Sequence, residues 1–320
     1  MNVREYRPAD AQAVWTLWQK EAPAQGYAPL SQKEFDRLIL QNPCFSPRYT
    51  FVLEETGAPR GFVCGAAADE LPAGGERGYF SCLLADGAGQ AGADLLLEAL
   101  ERAFAAAGRK SCDALFFNPI RLPWVIPGTP GHTHNNAPGV WVESPLYGWM
   151  LARGYAERAR ECAMYLDLTG FAVPEKQREK QTLLAGAGYE VGLYDPARHT
   201  GLTAMLEALA NPEWQAEIGC CAAEGTPFLV AARGGRAVGF AGPVYPEAGG
   251  RGYFTGIGVA PEHEGHGLGT LLFYRLCEAE KAAGAAYMSL FTGETNPARR
   301  IYAGAGFAAV RSFAVLRKMI

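Results

Sequence analysis

Between Gly256 and Thr270 the chain reads Gly-Ile-Gly-Val-Ala-Pro-Glu-His-Glu-Gly-His-Gly-Leu-Gly-Thr. A short apolar strand over Ile257–Val259 stops at Pro261. A glycine-dense turn follows at Gly265, Gly267 and Gly269, and a helix starts at once, with Leu268, Leu271, Leu272 and Leu276 at helical spacing. Glycines at a strand-to-helix turn leave backbone N–H groups uncovered, and the helix start adds the positive end of its dipole. That combination suits a phosphate or pyrophosphate. Two other phosphate motifs fail on spacing. The dinucleotide pattern G-x-G-x-x-G would need glycine where Thr270 stands, and the Gly-Lys pair of a Walker A loop occurs nowhere.

The elements that position this turn occur twice. Arg77-Gly78-Tyr79-Phe80-Ser81 answers Arg251-Gly252-Tyr253-Phe254-Thr255. Each is followed by a small-residue turn, a Leu-rich helix, Ala-Ala-Gly and an apolar strand, Ala114–Phe117 in one half and Met288–Phe291 in the other. Upstream, hairpins are expected at Phe51–Leu53 with Gly61–Val63, and at Phe228–Val230 with Val238–Phe240. Downstream, Arg153-Gly154-Tyr155 answers Ala305-Gly306-Phe307. A series in the same order marks a duplicated α/β domain with a mixed, mainly antiparallel sheet and flanking helices. The expected division is 1–168 for the first copy and 188–320 for the second. Residues 169–187 join them, with a charged helix opening after Pro174 (Glu175 to Glu179) whose charges read as a solvated face.

The whole chain is consistent with this plan. Its 320 residues suffice for two domains, 49% are apolar, and the net charge is -4, which does not favour nucleic acid. No apolar run is long enough to span a membrane, and the charged start, Met1 to Tyr6, lacks the apolar core of a signal peptide. The eight cysteines (44, 64, 82, 112, 162, 220, 221, 277) contain no CxxC pair. Most sit in apolar runs, which fits reduced, buried thiols in the cytoplasm better than disulfides, zinc or a nucleophile.

The loop and its surroundings resemble the GCN5-related N-acetyltransferase (GNAT) superfamily. Val259-Ala260-Pro261 matches the family's V-x-P strand end, and Glu264-Gly265-His266-Gly267-Leu268-Gly269 matches its Arg/Gln-x-x-Gly-x-Gly/Ala acyl-CoA loop. Asn296, Tyr302 and Gly306-Phe307 match the later motif of Asn, a Tyr six residues on, then Gly-Phe. The resemblance implies a tandem duplication of the acyl-CoA N-acyltransferase fold, with acetyl-CoA as cosubstrate and no metal. The implied contacts to it are Ile257, Gly258, Val259, Glu264, Gly265, His266, Gly267, Leu268, Gly269, Thr270 and Asn296. Acetyl-CoA lies where two parallel strands splay, its carbonyl polarised by a backbone N–H from Ile257–Val259, and an amine attacks directly. Tyr302 occupies the position of the acid that protonates the departing thiolate; tyrosine, with a reference pKa of about 10, carries its proton at neutral pH. Asn296 caps the tyrosine's helix or touches CoA, with Pro297 at that helix's first position.

Glu264 departs from the family's Arg or Gln, and a carboxylate beside pyrophosphate is tolerable only if it faces solvent; His266 adds charge only when protonated. No carboxylate lies between Tyr253 and Val259, so the base is unassigned, with Glu247 and Glu294 the nearest in sequence. The acceptor is a small-molecule or peptide amine, and the chain is expected as a monomer or homodimer. A non-catalytic acyl-CoA-binding regulator or scaffold is the alternative.

The first copy is impaired. Its turn, Ala85 to Asp94, lacks the Val-x-Pro end and the glycine spacing, and Met150 and Ser144 fall at the Tyr302 and Asn296 positions. A Pro-rich insertion at about 118–146, with Trp124 and Trp141, reads either as a wall over the acceptor cleft or as a rigid loop packed on its own tryptophans. His132 and His134 within it lack a Cys or Asp to complete a metal set.

Overall fold

The computed structural model describes residues 1–320 and divides into two compact units, Met1–Cys162 with Arg311–Ile320, and Ala163–Val310. The division differs from the sequence repeat at the C-terminus. The last ten residues belong to the first unit because Leu316–Met319 pair antiparallel with Ala114–Ser111 there.

In the first unit β1 (Asn2–Glu5), β2 (Thr50–Glu55), β3 (Ala58–Ala66) and β4 (Arg77–Ala85) form an antiparallel run. The helix α1 (Ala11–Glu21) precedes β2. A long helix, α2 (Gly89–Ala106), leads from β4 to β5 (Ser111–Ala114). β5 pairs parallel to β4 from Arg77↔Ser111 to Tyr79↔Asp113. Leu96, Leu97, Leu100 and Phe104 put one face of α2 onto Leu53, Val63, Phe80 and Leu83 of the sheet. Gly78 permits the approach: a Cβ there would stand 2.2 Å from the Phe104 ring. A short helix, α3 (Pro145–Ala152), follows the insertion, with Ser144 accepting from the Tyr147 amide at its start.

The second unit opens with α4 (Glu175–Gly186), the predicted charged helix. Then come β6 (Tyr189–Leu193), α5 (Leu202–Ala208), α6 (Pro212–Glu224), β7 (Leu229–Arg233) and β8 (Arg236–Gly242). The counterpart of β4 is broken into β9 (Arg251–Gly252) and β10 (Gly256–Val259). The helix α7 (Leu268–Ala282), β11 (Tyr287–Gly293) and α8 (Arg299–Gly304) complete it. The four strands β6-β7-β8-β10 are antiparallel neighbours, and β9 pairs parallel with β11. On one face Met205, Leu206 and Ile218 pack on Phe228, Val230 and Phe240. On the other, Leu271, Leu272, Phe273 and Leu276 of α7 are fully buried, each contributing about 1.5–3 kcal/mol. No helix is long and apolar enough to cross a membrane.

The duplication extends to the caps. The Tyr155 amide donates to Met150 O and the Phe307 amide to Tyr302 O, both at 3.0 Å, after glycines with φ of +93° and +101°. Met150 and Tyr302 therefore hold the same place in the two copies.

Candidate active site

The second unit contains an open notch. β9 and β11 are joined only at Arg251↔Tyr287 and Gly252↔Met288. Beyond that point β10 stays with β8, from Gly242↔Gly256 to Gly239↔Val259, while β11 continues in a different sheet. One edge of Ile257–Val259 thus faces the gap, and all three residues are partly exposed. Bare glycines let helices close over this strand: a Cβ at Gly256 would lie 2.4 Å from the Trp214 indole nitrogen, and one at Gly258 would lie 2.6 Å from Leu209.

At the end of β10 the chain makes a turn at Pro261–His263 and enters the glycine loop. The Glu264 amide donates to Pro261 O and the Leu271 amide to Gly267 O. Between them the amides of residues 265–270 have no acceptor in the protein. Gly265 and Gly267 hold φ of +76° and +81°, left-handed values that favour glycine. Six free donors at the start of a 15-residue helix have the chemistry to hold an anion. The Glu264 side chain is exposed and forms no ion pair, so its charge faces water. His266 is exposed too, its ring Nδ1 bonded to Glu264 O at 2.9 Å and its face beside Tyr189.

Cationic side chains of α4 lie beside the loop. A Cβ on Gly267 would lie 3.2 Å from Lys180 Cε and 3.8 Å from its Nζ. Lys176, one turn earlier, lines the same cleft of about 440 Å³ together with Glu179, so the two lysines outnumber the one carboxylate, and Thr270 contributes from α7. Neither lysine has a carboxylate partner, which distinguishes them from Arg178, paired to Glu278. In sequence they read as a solvated face; only the packing of α4 beside α7 brings them to the loop.

Tyr302 is 5% exposed on α8, with its ring against Phe273 (4.7 Å), Phe254 (6.1 Å) and Phe307 (6.4 Å). No protein group bonds its hydroxyl, and burial alone pushes the phenol up to about 12. Asn296 is exposed, and its Oδ1 accepts from the Ala298 amide at 2.9 Å. The helix proper begins at Arg299, two residues after Pro297, so Pro297 sits in the entering turn and not at the first helical position. Of the two carboxylates nearest in sequence, Glu247 is paired with Arg251 at 2.7 Å and Glu294 is exposed in the turn after β11.

A further carboxylate, which the sequence did not single out, contacts the strand break. Glu217 Oε2 on α6 accepts from Thr255 Oγ1 at 2.6 Å, and the Trp214 indole N–H on the same helix donates to Thr255 O at 3.3 Å. Thr255 is the residue at which β9 gives way to β10.

The equivalent place in the first unit is closed. Every residue of β4 after Arg77 is buried. Asn118 Nδ2 donates to Phe80 O at 2.6 Å, Ser81 Oγ to Asn118 Oδ1 at 3.0 Å, and Tyr27 Oη to Ser81 O at 3.2 Å. Ile120 and Leu122 of the insertion line what remains, about 10 Å³, room for about one water. Trp124 is fully buried, stacked at 6.1 Å on His134 and edge-on to Phe313. The insertion is thus core material of its own unit. No group of three or more His, Cys, Asp or Glu side chains is placed to hold a metal ion.

Residues 196–307 match the model of the Acetyltransferase (GNAT) family. The chain therefore carries a GNAT-family domain in its second unit. A sequence search found no curated relative. The fold is similar to a GCN5-related glucosamine N-acetyltransferase region of a fungal multi-domain GH3 beta-N-acetylglucosaminidase. The TM-score is 0.66 and the identity 16%, over 99% of this chain and 38% of that one, so the chain spans well under half of that protein. It is also similar to a GCN5-related N-acetyltransferase from Sphaerobacter thermophilus (TM-score 0.60, 16% identity, 99% and 95% covered). A tandem GNAT protein from the clavulanic acid biosynthesis pathway gives 0.56 and 17%, with 99% and 98% covered. At these identities the likeness is one of fold: a tandem GNAT architecture over nearly the full chain.

Proposed function

We propose that the chain is an N-acetyltransferase that moves an acetyl or other short acyl group from acetyl-CoA to an amine, using its second unit. The observation that carries this is the row of six unpaired amides at 265–270 placed at the mouth of an open strand notch. The residues fit the cosubstrate. The amides and Lys180 match a pyrophosphate in charge and geometry, and the partly exposed edge of Ile257–Val259 offers backbone donors to a carbonyl. Acetyl-CoA supplies the thioester; Ile257, Gly258 and Val259 orient its carbonyl, and Gly265, His266, Gly267, Leu268, Gly269 and Thr270 contribute amides to the cradle, while the Glu264 amide is spent on Pro261 O.

Tyr302 acts as the acid toward the leaving sulfur. Its phenol at about 12 stays protonated at neutral pH. A departing thiolate is a base that takes up this proton, and burial keeps it on the phenol until then. Asn296 holds the turn that presents α8. The first unit, whose notch is filled by Asn118, Tyr27 and the insertion, is catalytically silent in this account. Thiol release from acetyl-CoA over a panel of amines tests the assignment. Amine-dependent release supports it; CoA binding without release from any amine would place the protein among CoA-binding regulators.

A further inference from the structure

We infer that Glu217 is the group that receives the acceptor's ammonium and takes its proton, which makes the preferred acceptor a primary alkyl amine that is cationic at neutral pH. This inference rests on the acetyl-transfer reading and adds the acceptor side, which no motif of the chain specifies.

Two adjacent residues at the point of strand parting make contact in different directions. Phe254 packs on Phe273 of α7 and on the Tyr302 ring. Thr255 contacts α6 instead, through Glu217 and Trp214. The Tyr302 ring and the Glu217 carboxylate thus touch neighbouring residues of the segment where the strands part, one from α8 and the other from α6, an arrangement that suits a thiolate departing on one side and an amine arriving on the other. Glu217 is only partly buried, and its one hydrogen bond is the Thr255 hydroxyl on Oε2, so Oε1 is free to accept an N–H. Thr255 is itself pinned, its amide bonded to Gly242 O and its carbonyl to Trp214. This fixes the carboxylate relative to the strand that holds the thioester.

The surroundings favour a cation. Tyr245 and Tyr253 stack at 5.0 Å and 13°; the Arg251 guanidinium already lies 5.7 Å from the Tyr253 ring centre, and the Tyr245 ring, 38% exposed, is the aromatic face left for an ammonium. Burial, then the charges of Glu217 and Glu247, push the Tyr245 phenol up to about 12, so it remains a neutral neighbour of the carboxylate. Of the other titratable groups near, Glu247 is tied to Arg251 and Cys221 is a buried thiol. Glu217 is thus a partly exposed carboxylate with no cationic partner beside the strand break.

An alkyl ammonium with pKa of about 10 cannot attack until it loses a proton. Glu217 takes that proton. The nitrogen lone pair then forms the C–N bond as the C–S bond breaks, and the sulfur takes the Tyr302 proton. The second N–H proton lost from nitrogen restores the phenol, and Glu217 releases its proton to water. The sum is ammonium plus thioester giving amide, thiol and one proton.

The test compares Glu217→Gln with wild type on two kinds of nucleophile in the full chain, read by thiol release at pH 7. One is a set of primary alkyl amines (n-butylamine, tyramine, spermidine); the other is hydroxylamine, which is largely neutral at that pH and needs no base. The expected result is that E217Q loses about 100-fold in kcat/KM with the alkyl amines, as for loss of a general base, and keeps its rate with hydroxylamine within about threefold. Equal losses on both would show that the Thr255 bond is merely structural and overturn the inference. So would an unchanged E217Q, or a wild type that accepts hydroxylamine and none of the alkyl amines. Failure of wild type on every nucleophile would instead remove the acetyl-transfer reading on which the inference stands.

Discussion

Replacing Tyr302 by Phe removes one oxygen and little else. The ring contacts with Phe273, Phe254 and Phe307 persist, and the hydroxyl has no hydrogen-bond partner to lose. Stability should change by less than about 1 kcal/mol, since no buried group is left unsatisfied. The chemical effect is larger. A positioned acid contributes about 10²–10⁴-fold, or about 2.7–5.4 kcal/mol at 1.36 kcal/mol per tenfold. The sulfur must then leave as an unprotonated thiolate. The assay is thiol release at saturating acetyl-CoA with the best amine found, alongside a thermal melt. Y302F should lower kcat at least about 100-fold, leave KM for acetyl-CoA near wild type, and melt within a degree or two of it. The wild-type profile should show no loss from phenol ionisation until the pH approaches 12, because the acid form is the active one and its pKa lies above the usual tyrosine value. A variant with kcat within about threefold of wild type would refute the reasoning, since the ring alone would then suffice. A melt lowered by many degrees would show a packing role instead.

Three other outcomes follow from the same geometry. Asn118→Ala removes a side chain bonded to Phe80 O, Ser81 Oγ and the Ile120 amide, so it should cost about 2–3 kcal/mol in denaturant unfolding while leaving kcat unchanged; a loss of activity would contradict the silent first unit. Glu280, fully buried, with Oε2 unpaired and Oε1 accepting from the Tyr245 amide, is pushed up to about 8 by burial. Because its folded value exceeds the unfolded one, it favours the fold below about pH 4.5 and loses that contribution as pH rises to 8, so Glu280→Gln should melt like wild type near pH 4.5 and be more stable by up to ~4 kcal/mol at pH 9; parallel melting curves would refute this. Lys180→Gln combined with Lys176→Gln should weaken CoA binding about tenfold at low salt, with a smaller loss at 0.5 M salt; equal affinity at low salt would remove the lysines from the cradle.

Much of this was legible before folding because its chemistry is local. Glycines at 265 and 267 declare a positive-φ turn, leucines at helical spacing declare α7, and the offset between Asn296, Tyr302 and Gly306 fixes one short helix and its exit. The repeat was visible for the same reason, since Gly78 and Gly252 each sit where a strand must admit a helix side chain, Phe104 in one copy and Glu280 in the other. What escaped was set by tertiary placement. Glu217 lies in Pro212-Glu213-Trp214-Gln215-Ala216-Glu217, a run that reads as an ordinary solvated helix face until Thr255 is brought beneath it. Lys176 and Lys180 look like linker charges until α4 lies beside α7. Arg311–Ile320 continue the second copy in sequence, yet their pairing with β5 assigns them to the first unit. The Pro-rich insertion offered two readings, and its buried Ile120, Leu122 and Trp124 show it packed inward in its own unit.

The most direct measurement is calorimetric titration of the full chain with CoA. One site per chain is predicted, because one notch is open with free amides and its counterpart is filled by Asn118 and Ile120. Absence of heat, or a stoichiometry of two, would contradict the account.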